Sequence, residues 1–280
     1  MEVLTRRIRY SSRSDVFSLW FLGDLHLGSA SCDEDAIKAT VKAIRADPLA
    51  LWVGLGDMAE FISRTDYRFR QGQLAKWLRG DELEYGDDLI DAEIERVITR
   101  LKPIAGQCLG LLYGNHEDRQ HTAFDRNVHR KVWQGLLAEC KDVQNLSDEA
   151  LVRLIFVRGR TGRGHTSTLD LYLHHGWFAG RKAGAKVNNL HDLFAAWDVD
   201  VIAVGHGHER LLAPPLVTIR LDATGQPVER RRYALMTGSY LRTHTPGATS
   251  YASTKGYRPN DVGAVRLFYQ PDKGRLWGEI

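Results

Sequence analysis

An apolar segment followed by glycine and metal-binding residue types occurs five times along this chain. The first covers residues 16–22, which are predicted to form a buried strand, and it is followed at once by Gly23, Asp24 and His26. Side chains two residues apart on extended backbone point the same way, so Asp24 and His26 are expected to reach a common point past the strand. Open α/β sheets bind their ligands at that edge. The pattern predicts a site assembled at the ends of several strands.

The strand-end residues offer carboxylate, amide and imidazole donors to a metal. They are Asp24, His26, Asp57, Asn115, His175, His206 and His208. Seven donors are too many for one ion but suit two ions that share a carboxylate, since two-metal sites hold their ions about 3.5–4 Å apart. The mixture of nitrogen and oxygen donors favours Mn, Fe, Zn, Co or Ni, whereas an all-oxygen set would favour Mg or Ca.

Strand-like and helix-like segments alternate up to about residue 208, and strands joined by turns follow. Asp33 is predicted to cap an amphipathic helix, and residues 121–140 are predicted to form one long amphipathic helix. Residues 61–90 are irregular and charged, and are interpreted as an excursion over the active edge that forms part of the substrate wall. This order of elements predicts two packed sheets with helices outside. The length favours a single domain over residues 1–280.

Composition narrows the functional classes. The 43% hydrophobic and 26% charged residues are ordinary for a globular protein. A net charge of +3, from 38 basic and 35 acidic side chains, is too balanced to argue nucleic-acid binding by itself. Three cysteines without CxxC spacing favour reduced thiols, and no signal-peptide or 18-residue apolar stretch is present. A cytoplasmic protein without a membrane partner is expected.

The five blocks in order read Gly-Asp-x-His, Gly-Asp, Gly-Asn-His-Glu, His-Gly and Gly-His-x-His, spread over residues 23–208. This series resembles the calcineurin-like metallophosphoesterase superfamily. The run His-His-Gly-Trp, with Lys-Ala-Gly-Ala-Lys after it, also resembles uncharacterised bacterial and phage members, which assign no substrate. The resemblance implies an α/β fold, a four-layer α/β/β/α sandwich of two mixed β-sheets flanked by helices, in agreement with the two-sheet expectation.

The resemblance also implies roles for the strand-end residues. Asp24, His26 and His208 would bind one ion, Asn115, His175 and His206 the other, and Asp57 would bridge the two. The cofactors implied are two divalent transition-metal ions, Mn²⁺ first among them, with Fe, Zn, Ni or Co as alternatives.

Two further residues of the site are implied by the resemblance. His116 would contact the phosphate and assist the leaving group instead of binding metal. Glu60 stands three residues after Asp57, where many members carry a different acidic or amide residue, and it is predicted to orient His116. Of the two adjacent histidines, His175 is the expected ligand because it directly precedes glycine. His174 should face the opposite side of the strand and be packed there.

Cations for the substrate are expected in the glycine- and lysine-rich residues 176–186. Arg181 and Lys182 follow His175 by six and seven residues and are predicted to approach a phosphate oxygen, with an ordinary solvated loop as the alternative. Residues 237–240 are expected to line the same edge.

These residues and the resemblance predict metal-dependent hydrolysis of a phosphate ester, as a phosphodiesterase or phosphatase, by a hydroxide that two ions activate. A DNA nuclease of the same superfamily is the alternative, with nucleic acid as substrate. It is less favoured because the chain lacks large accessory helical regions and an obvious duplex-binding track. A non-catalytic interaction scaffold is the third reading. Such a scaffold would be expected to have lost ligands, and here every ligand type is retained.

Overall fold

A computed structural model describes residues 1–79, 88–159, 164–177, 182–246, 253 and 256–279. Its α-helices are α1 (Glu34–Ala46), α2 (Leu89–Leu101), α3 (Asn115–Phe124), α4 (Val128–Glu139) and α5 (Ala183–Asp192). Its strands are β1 (Glu2–Tyr10), β2 (Phe17–Leu22), β3 (Ala50–Leu55), β4 (Cys108–Leu112), β5 (Gln144–Asn145), β6 (Glu149–Arg158), β7 (Thr166–His174), β8 (Val201–Val204), β9 (Arg210–Leu212), β10 (Leu216–Leu221), β11 (Pro227–Thr237), β12 (Val265–Gln270) and β13 (Arg275–Glu279).

The strands form two mixed sheets. Sheet A has the order β1-β6-β7-β8-β11-β10, with β9 also paired to β11, and sheet B has the order β13-β12-β2-β3-β4-β5. Strands β2 to β5 run parallel to one another, as do β7, β8 and β11. Antiparallel pairing of β12 with β2 and of β6 with β7 makes both sheets mixed.

The sheets pack face to face, with helices on both outer faces. One apolar cluster fills the space between the sheets, with Phe21 from sheet B and Leu173 from sheet A among its members. Helices α1, α2 and α4 cover the outer face of sheet B, where Val97 of α2 is fully buried. On the outer face of sheet A, Leu190 of α5 packs with Ile202 of β8. The predicted four-layer sandwich is confirmed.

Local sequence explains the elements that carry the site. Strand β2 is apolar at every position except Ser18 because it is covered on both faces, as strands inside a layered sheet usually are. The carboxylate of Asp33 accepts a hydrogen bond from the Ala36 amide at 3.1 Å and caps α1, as predicted. The strands that precede the predicted ligands are β2, β3, β4, β7 and β8, and the ligands lie in the segments that directly follow them.

The long helix predicted for residues 121–140 is wrong, because two helices occupy this stretch. Asp125 ends α3 in the left-handed conformation, with φ 51°, and Asn127 caps α4 by accepting from the Arg130 amide at 2.8 Å. Both residue types favour such positions over a helix interior, since their short side chains bond to nearby backbone groups. The apolar periodicity runs through the break and conceals it.

The irregular segment is described over residues 61–79, and residues 80–87 lie outside the described part of the chain. Two short turns of 3₁₀ helix, Gln71–Gln73 and Lys76–Leu78, lie within it. Leu78 is buried, and the Trp77 indole donates a hydrogen bond to Glu34 of α1 at 2.8 Å. Across the described residues, no helix combines the length and the apolar character that crossing a membrane requires.

Candidate metal centre

The strand-end residues have unusual backbone conformations. Five of the seven predicted ligands have φ between 47° and 62°: Asp24, His26, Asp57, His206 and His208. The extended backbone assumed for Asp24 and His26 is therefore not what aligns them. Left-handed conformations cost about 1–2 kcal/mol per residue without glycine, so surrounding contacts must hold them. Such strain is typical of functional sites.

Neighbouring loops supply part of that support. The amide of Asp24 donates to the Gly56 carbonyl at 3.0 Å, and the amide of His26 donates to the Asp57 carbonyl at 3.1 Å. Gly56 itself has φ +90°, and a Cβ there would lie 2.5 Å from the Gly114 nitrogen. Only glycine lets these loops approach so closely.

The first three-residue group consists of Asp24, His26 and His208, whose donor atoms lie within 4.8 Å of one another. Oδ1 of Asp24 is 3.2 Å from Nε2 of His208 and 3.8 Å from Nε2 of His26. The two imidazole Nε2 atoms are 3.2 Å apart. All three side chains therefore converge on one point.

The second group consists of Asp57, His175 and His206, with the same spread of donor atoms. Asn115 joins it, because its Oδ1 lies 3.0 Å from Nε2 of His175. Oδ2 of Asp57 is 3.5 Å from Nε2 of His175 and 3.9 Å from Nε2 of His26, which belongs to the first group. Asp57 thus stands between the two groups, at the position predicted for a bridge.

Buried polar atoms test whether these residues fit metal ions. Oδ1 of Asp24 and Nδ1 of His206 are fully buried and have no hydrogen-bond partner among the described residues. Buried polar atoms are nearly always satisfied, so orphans of this kind need an explanation. Both face donor groups of mixed imidazole, carboxylate and amide character, which suits divalent transition metals. The residues fit two such ions.

Electrostatics favour a cation in the same place. Burial alone would raise the pKa of Asp57, but the imidazoles of His175 and His116 lower it well below its usual value. Burial alone would lower the pKa of His175, but Asp57 raises it to about 10. The ionised carboxylate attracts any nearby cation, so divalent ions would compete with protons for these donors.

Glu117 organises the centre, although sequence reasoning gave it no role. Its buried carboxylate accepts hydrogen bonds from the amides of Asp57 at 2.9 Å, Met58 at 2.8 Å and Gly114 at 2.9 Å. Gly114 is the N-cap of α3, so Glu117 is the third helical residue, and its bond to the Gly114 amide is the glutamate half of a capping box. Its place in the Gly-Asn-His-Glu block was the available signal. Three amides explain why a buried carboxylate is tolerated beside Asp57.

Glu60 contacts two imidazoles, and its main chain makes the shorter contact. Nδ1 of His116 donates to the Glu60 carbonyl at 2.6 Å, whereas its distance to the carboxylate is 3.7 Å. The carboxylate lies 3.5 Å from Nδ1 of His26. Although burial raises the pKa of Glu60, His26 and then His116 lower it to about 2. The carboxylate is therefore an anion beside both rings.

The two adjacent histidines separate as their alternation on the strand predicts. Nδ1 of His175 donates to the Leu55 carbonyl at 2.7 Å, which leaves Nε2 directed at the second group. Nδ1 of His174 accepts from the Gly176 amide at 2.7 Å, and its ring lies edge-on to Trp177 at 4.7 Å. His174 thus lies outside both groups.

The predicted substrate cations are not brought to the centre by the described contacts. Arg181 lies outside the described residues, and Lys182 is an exposed residue that precedes α5. Residues 237–240 do line the edge, because Oγ of Ser239 and the amide of Tyr240 donate to the Asp24 carbonyl at 3.0 and 2.9 Å. They support the strained backbone of Asp24.

Comparison with known proteins gives distant likenesses. No family model matches the chain, and no curated protein matches it. Among solved structures, a metallophosphoesterase from Sphaerobacter thermophilus is 13% identical, with a TM-score of 0.38 and coverage of 94% of this chain and 87% of the other. A conserved uncharacterised protein from Streptococcus pneumoniae, named a predicted phosphoesterase, is 9% identical at a TM-score of 0.33, covering 95% and 99%.

The NAD nucleotidase of Haemophilus influenzae is 14% identical at a TM-score of 0.41. The match covers 95% of this chain but 49% of the nucleotidase, so this chain spans about half of that protein. Two of these three structures carry a phosphoesterase name, and the third is named a nucleotidase. At this distance they carry no argument about activity, which has to come from the residues of the centre.

Proposed function

We propose that this protein hydrolyses a phosphate ester at a dinuclear metal centre. One observation carries the proposal: the carboxylate of Asp57 stands between two convergent donor groups, and the His116 ring lies 4.8 Å from the His26 ring, centroid to centroid. Two divalent ions held by these groups would supply charge that activates water and stabilises a phosphoryl group during in-line displacement. Mn²⁺ is the first candidate, with Fe, Zn, Ni and Co as alternatives.

The chain's own residues hold and orient the centre. The first group, Asp24, His26 and His208, is proposed to bind one ion. The second, Asn115, His175 and His206, is proposed to bind the other, with Asp57 between them. Fixed tautomers favour binding, because a ring nitrogen engaged by a carbonyl leaves the other free for metal, as at His175.

His116 is proposed to act on the substrate. Its Nδ1 is engaged by the Glu60 carbonyl, so Nε2 remains available to a phosphoryl oxygen or to the leaving oxygen. Its backbone amide donates to Oδ1 of Asp57 at 3.0 Å, which ties the imidazole to the bridging carboxylate. General acid assistance of this kind contributes about 10²–10⁴-fold in rate.

Arg181 and Lys182 stay predicted substrate contacts. Loss of either cation should raise KM on anionic substrates while metal content is kept. Wild-type kinetics for both alanine variants on every substrate would mean that the loop is merely solvated.

A panel of metals and substrates tests the proposed function. Purified protein is loaded with Mn, Ni, Zn or Mg and given a chromogenic monoester, a chromogenic diester, a cyclic nucleotide, and single- and double-stranded DNA. Turnover of an ester that Asp57→Asn abolishes would support the proposal, because the variant excludes a contaminating phosphatase. Cleavage of DNA in preference to small esters would favour the nuclease. Two bound ions without turnover of any substrate would favour the non-catalytic scaffold.

A further inference from the structure

The loop that carries His206 and His208 is strained and only partly covered. Both histidines have left-handed backbone, with φ 62° and 50°, and the loop residues 206–209 are all half-buried. Gly207 lies between them, and a Cβ there would lie 2.0 Å from the Met236 sulfur of β11. A strained loop of this kind keeps its shape only where other contacts define it.

A buried lysine supplies such contacts. Lys186, in the first turns of α5, is 5% exposed. Its Nζ donates to the Gly207 carbonyl at 2.9 Å and to Oε2 of Glu209 at 2.8 Å. A buried ammonium is tolerated only when it is paired and hydrogen-bonded, and both of these bonds go to the histidine loop.

Glu209 extends the contact to a later part of the chain. Its other oxygen, Oε1, accepts from the Arg258 guanidinium at 2.6 Å. The Glu209 carboxylate is 25% exposed, so the Lys186 end of this three-membered network is the buried end. Lys186 belongs to the glycine- and lysine-rich segment in which substrate cations were predicted. Its ammonium group, however, is bonded to two acceptors inside the protein.

We propose that Lys186 is a positioning residue that fixes the spacing of the two metal ions. The carbonyl it holds lies between His206, of the second group, and His208, of the first. A shift of this one peptide moves a ligand of each ion, so both ions depend on the same ammonium group. The inference rests on the proposed dinuclear centre, and it concerns metal binding before any substrate is added.

Lys186→Met tests this with metal titrations in the absence of substrate. Both Mn²⁺ affinities should fall together by roughly 10–100-fold, as replacement of residues outside the ligand shell commonly does. The electron paramagnetic resonance signal of the coupled Mn²⁺ pair should weaken at matched occupancy, because the coupling depends on the distance between the ions. Lys42→Met is the matched control, since it makes the same change on the exposed face of α1.

A second pair of variants separates positioning from folding. Lys186→Arg keeps the charge and the donors and should retain more of both affinities than Lys186→Met. Glu209→Gln keeps an acceptor and should weaken both ions by a smaller factor. If Lys186→Met does not fold, Glu209→Gln decides alone: weakened binding of both ions supports the inference, and wild-type binding overturns it.

The outcomes of this test and of the proposed function are distinct. Wild-type affinities and an unchanged coupled signal in Lys186→Met would overturn the inference, and so would loss of one ion alone. Two tightly bound Mn²⁺ ions in a wild type that hydrolyses nothing would overturn the proposed function and leave the role of Lys186 intact. A wild type that binds none of Mn²⁺, Fe²⁺, Zn²⁺, Ni²⁺ and Co²⁺ would overturn both.

Discussion

Asp57 is the carboxylate that lies between the two donor groups of the centre. One oxygen faces His175 and His26, at 3.5 and 3.9 Å, and the other accepts the His116 amide. A carboxylate so placed can bind two ions, because each of its oxygens carries lone pairs in a separate direction. For metal binding, the negative charge of the Asp57 carboxylate should matter more than its shape.

Asp57→Asn keeps that shape and removes the charge. Both ions should bind at least about 10-fold more weakly, whereas His26→Ala should weaken mainly one. Elemental analysis after Mn²⁺ loading and gel filtration measures the metal per chain. A wild type that retains at most one ion per chain would contradict the dinuclear assignment.

His116→Ala removes an imidazole that is not expected to bind either metal ion. kcat should fall about 10²–10⁴-fold with metal content unchanged. The loss should shrink for nitrophenolate esters, whose leaving group needs little protonation. Loss of metal would instead make His116 a ligand, and an equal rate loss on good and poor leaving groups would remove its role as an acid.

Glu60→Gln should behave differently from His116→Ala. The Glu60 carbonyl that holds His116 is kept, while the anion 3.5 Å from His26 is lost. We therefore expect weaker binding at the first group and little change in leaving-group dependence. Titration with Mn²⁺ measures the binding, and rates on a nitrophenyl ester and on an ester with a poor leaving group measure the leaving-group dependence. A defect that matches that of His116→Ala would mean that the Glu60 carboxylate, and not its carbonyl, supports His116.

At this scale, residue type and spacing predicted which side chains meet. They did not predict how, because the left-handed conformations of Asp24 and His26 depend on hydrogen bonds from another loop. The roles of Glu117 and Lys186 were missed for a related reason. All three partners of Glu117 are backbone amides, and one of the two partners of Lys186 is a backbone carbonyl. Backbone groups leave no mark in a sequence.

Among the elements, α1 and α2 are joined by a charged cluster around Glu34. Its carboxylate accepts from Arg96 and Arg100, both at 2.8 Å, and from the Trp77 indole at 2.8 Å. Burial alone would raise the pKa of Glu34, but hydrogen bonds from Arg100 and Arg96 lower it below its ordinary value. The cluster fastens the irregular segment to the helical layer.

Glu34→Gln should lower the free energy of unfolding by about 1–3 kcal/mol at pH 7, as expected for hydrogen bonds to a charged group. Because folding lowers this pKa, the ionised form stabilises the protein above about pH 4.3, and the contribution is lost as pH falls. Urea unfolding at pH 7 and near pH 3 should show the difference between variant and wild type shrinking in acid.

Glu139→Gln is the matched control for that experiment. Glu139 pairs with Lys102 at the surface, where such pairs contribute about 0–1 kcal/mol. A loss at Glu34 no larger than the loss at Glu139 would mean that the cluster is not structurally important.

The start of a helix was predictable where the local chemistry of one residue decides it. Asp33 was predicted to cap α1, and it does so because a short side chain with an oxygen acceptor is what an N-cap requires. The α3–α4 break was missed because Phe124 and Val128 keep helical spacing across Asp125. Strand β1 was missed because its outward side carries arginines.

For the whole molecule, the centre joins two layers. Asp24, Asp57 and Asn115 follow strands of sheet B, whereas His175, His206 and His208 follow strands of sheet A. Ions bound there would link the sheets at one end of the sandwich. Binding of this kind stabilises the folded state in proportion to the logarithm of ligand concentration.

Excess Mn²⁺ should therefore raise Tm by roughly 5–10 °C for each tightly bound ion, and a chelator should reverse it. Scanning calorimetry of wild type and Asp57→Asn, with and without Mn²⁺, measures this. An equal rise in the variant would mean that Mn²⁺ acts elsewhere on the protein.

The sandwich was predictable from alternating apolar segments, but its connections were not. Strand β2 pairs with β12, so that Phe21 lies opposite Val265 at a distance along the chain that no local pattern can encode. Strand β11 pairs antiparallel with β10 and β9, as strands joined by turns do, but it also joins β8 in parallel, which no local pattern indicates. The single domain and the cytoplasmic location stay predictions.

The hairpin of β10 and β11 has a practical consequence. Strand β11 runs parallel to β8, and the carboxyl end of β8 leads into the histidine loop. The hairpin turn, residues 222–226, therefore lies at the opposite end of sheet A from the centre. An affinity tag or surface linker attached at this turn would hold the protein by the end opposite the centre, and would leave the metal-ligand residues accessible to the sample.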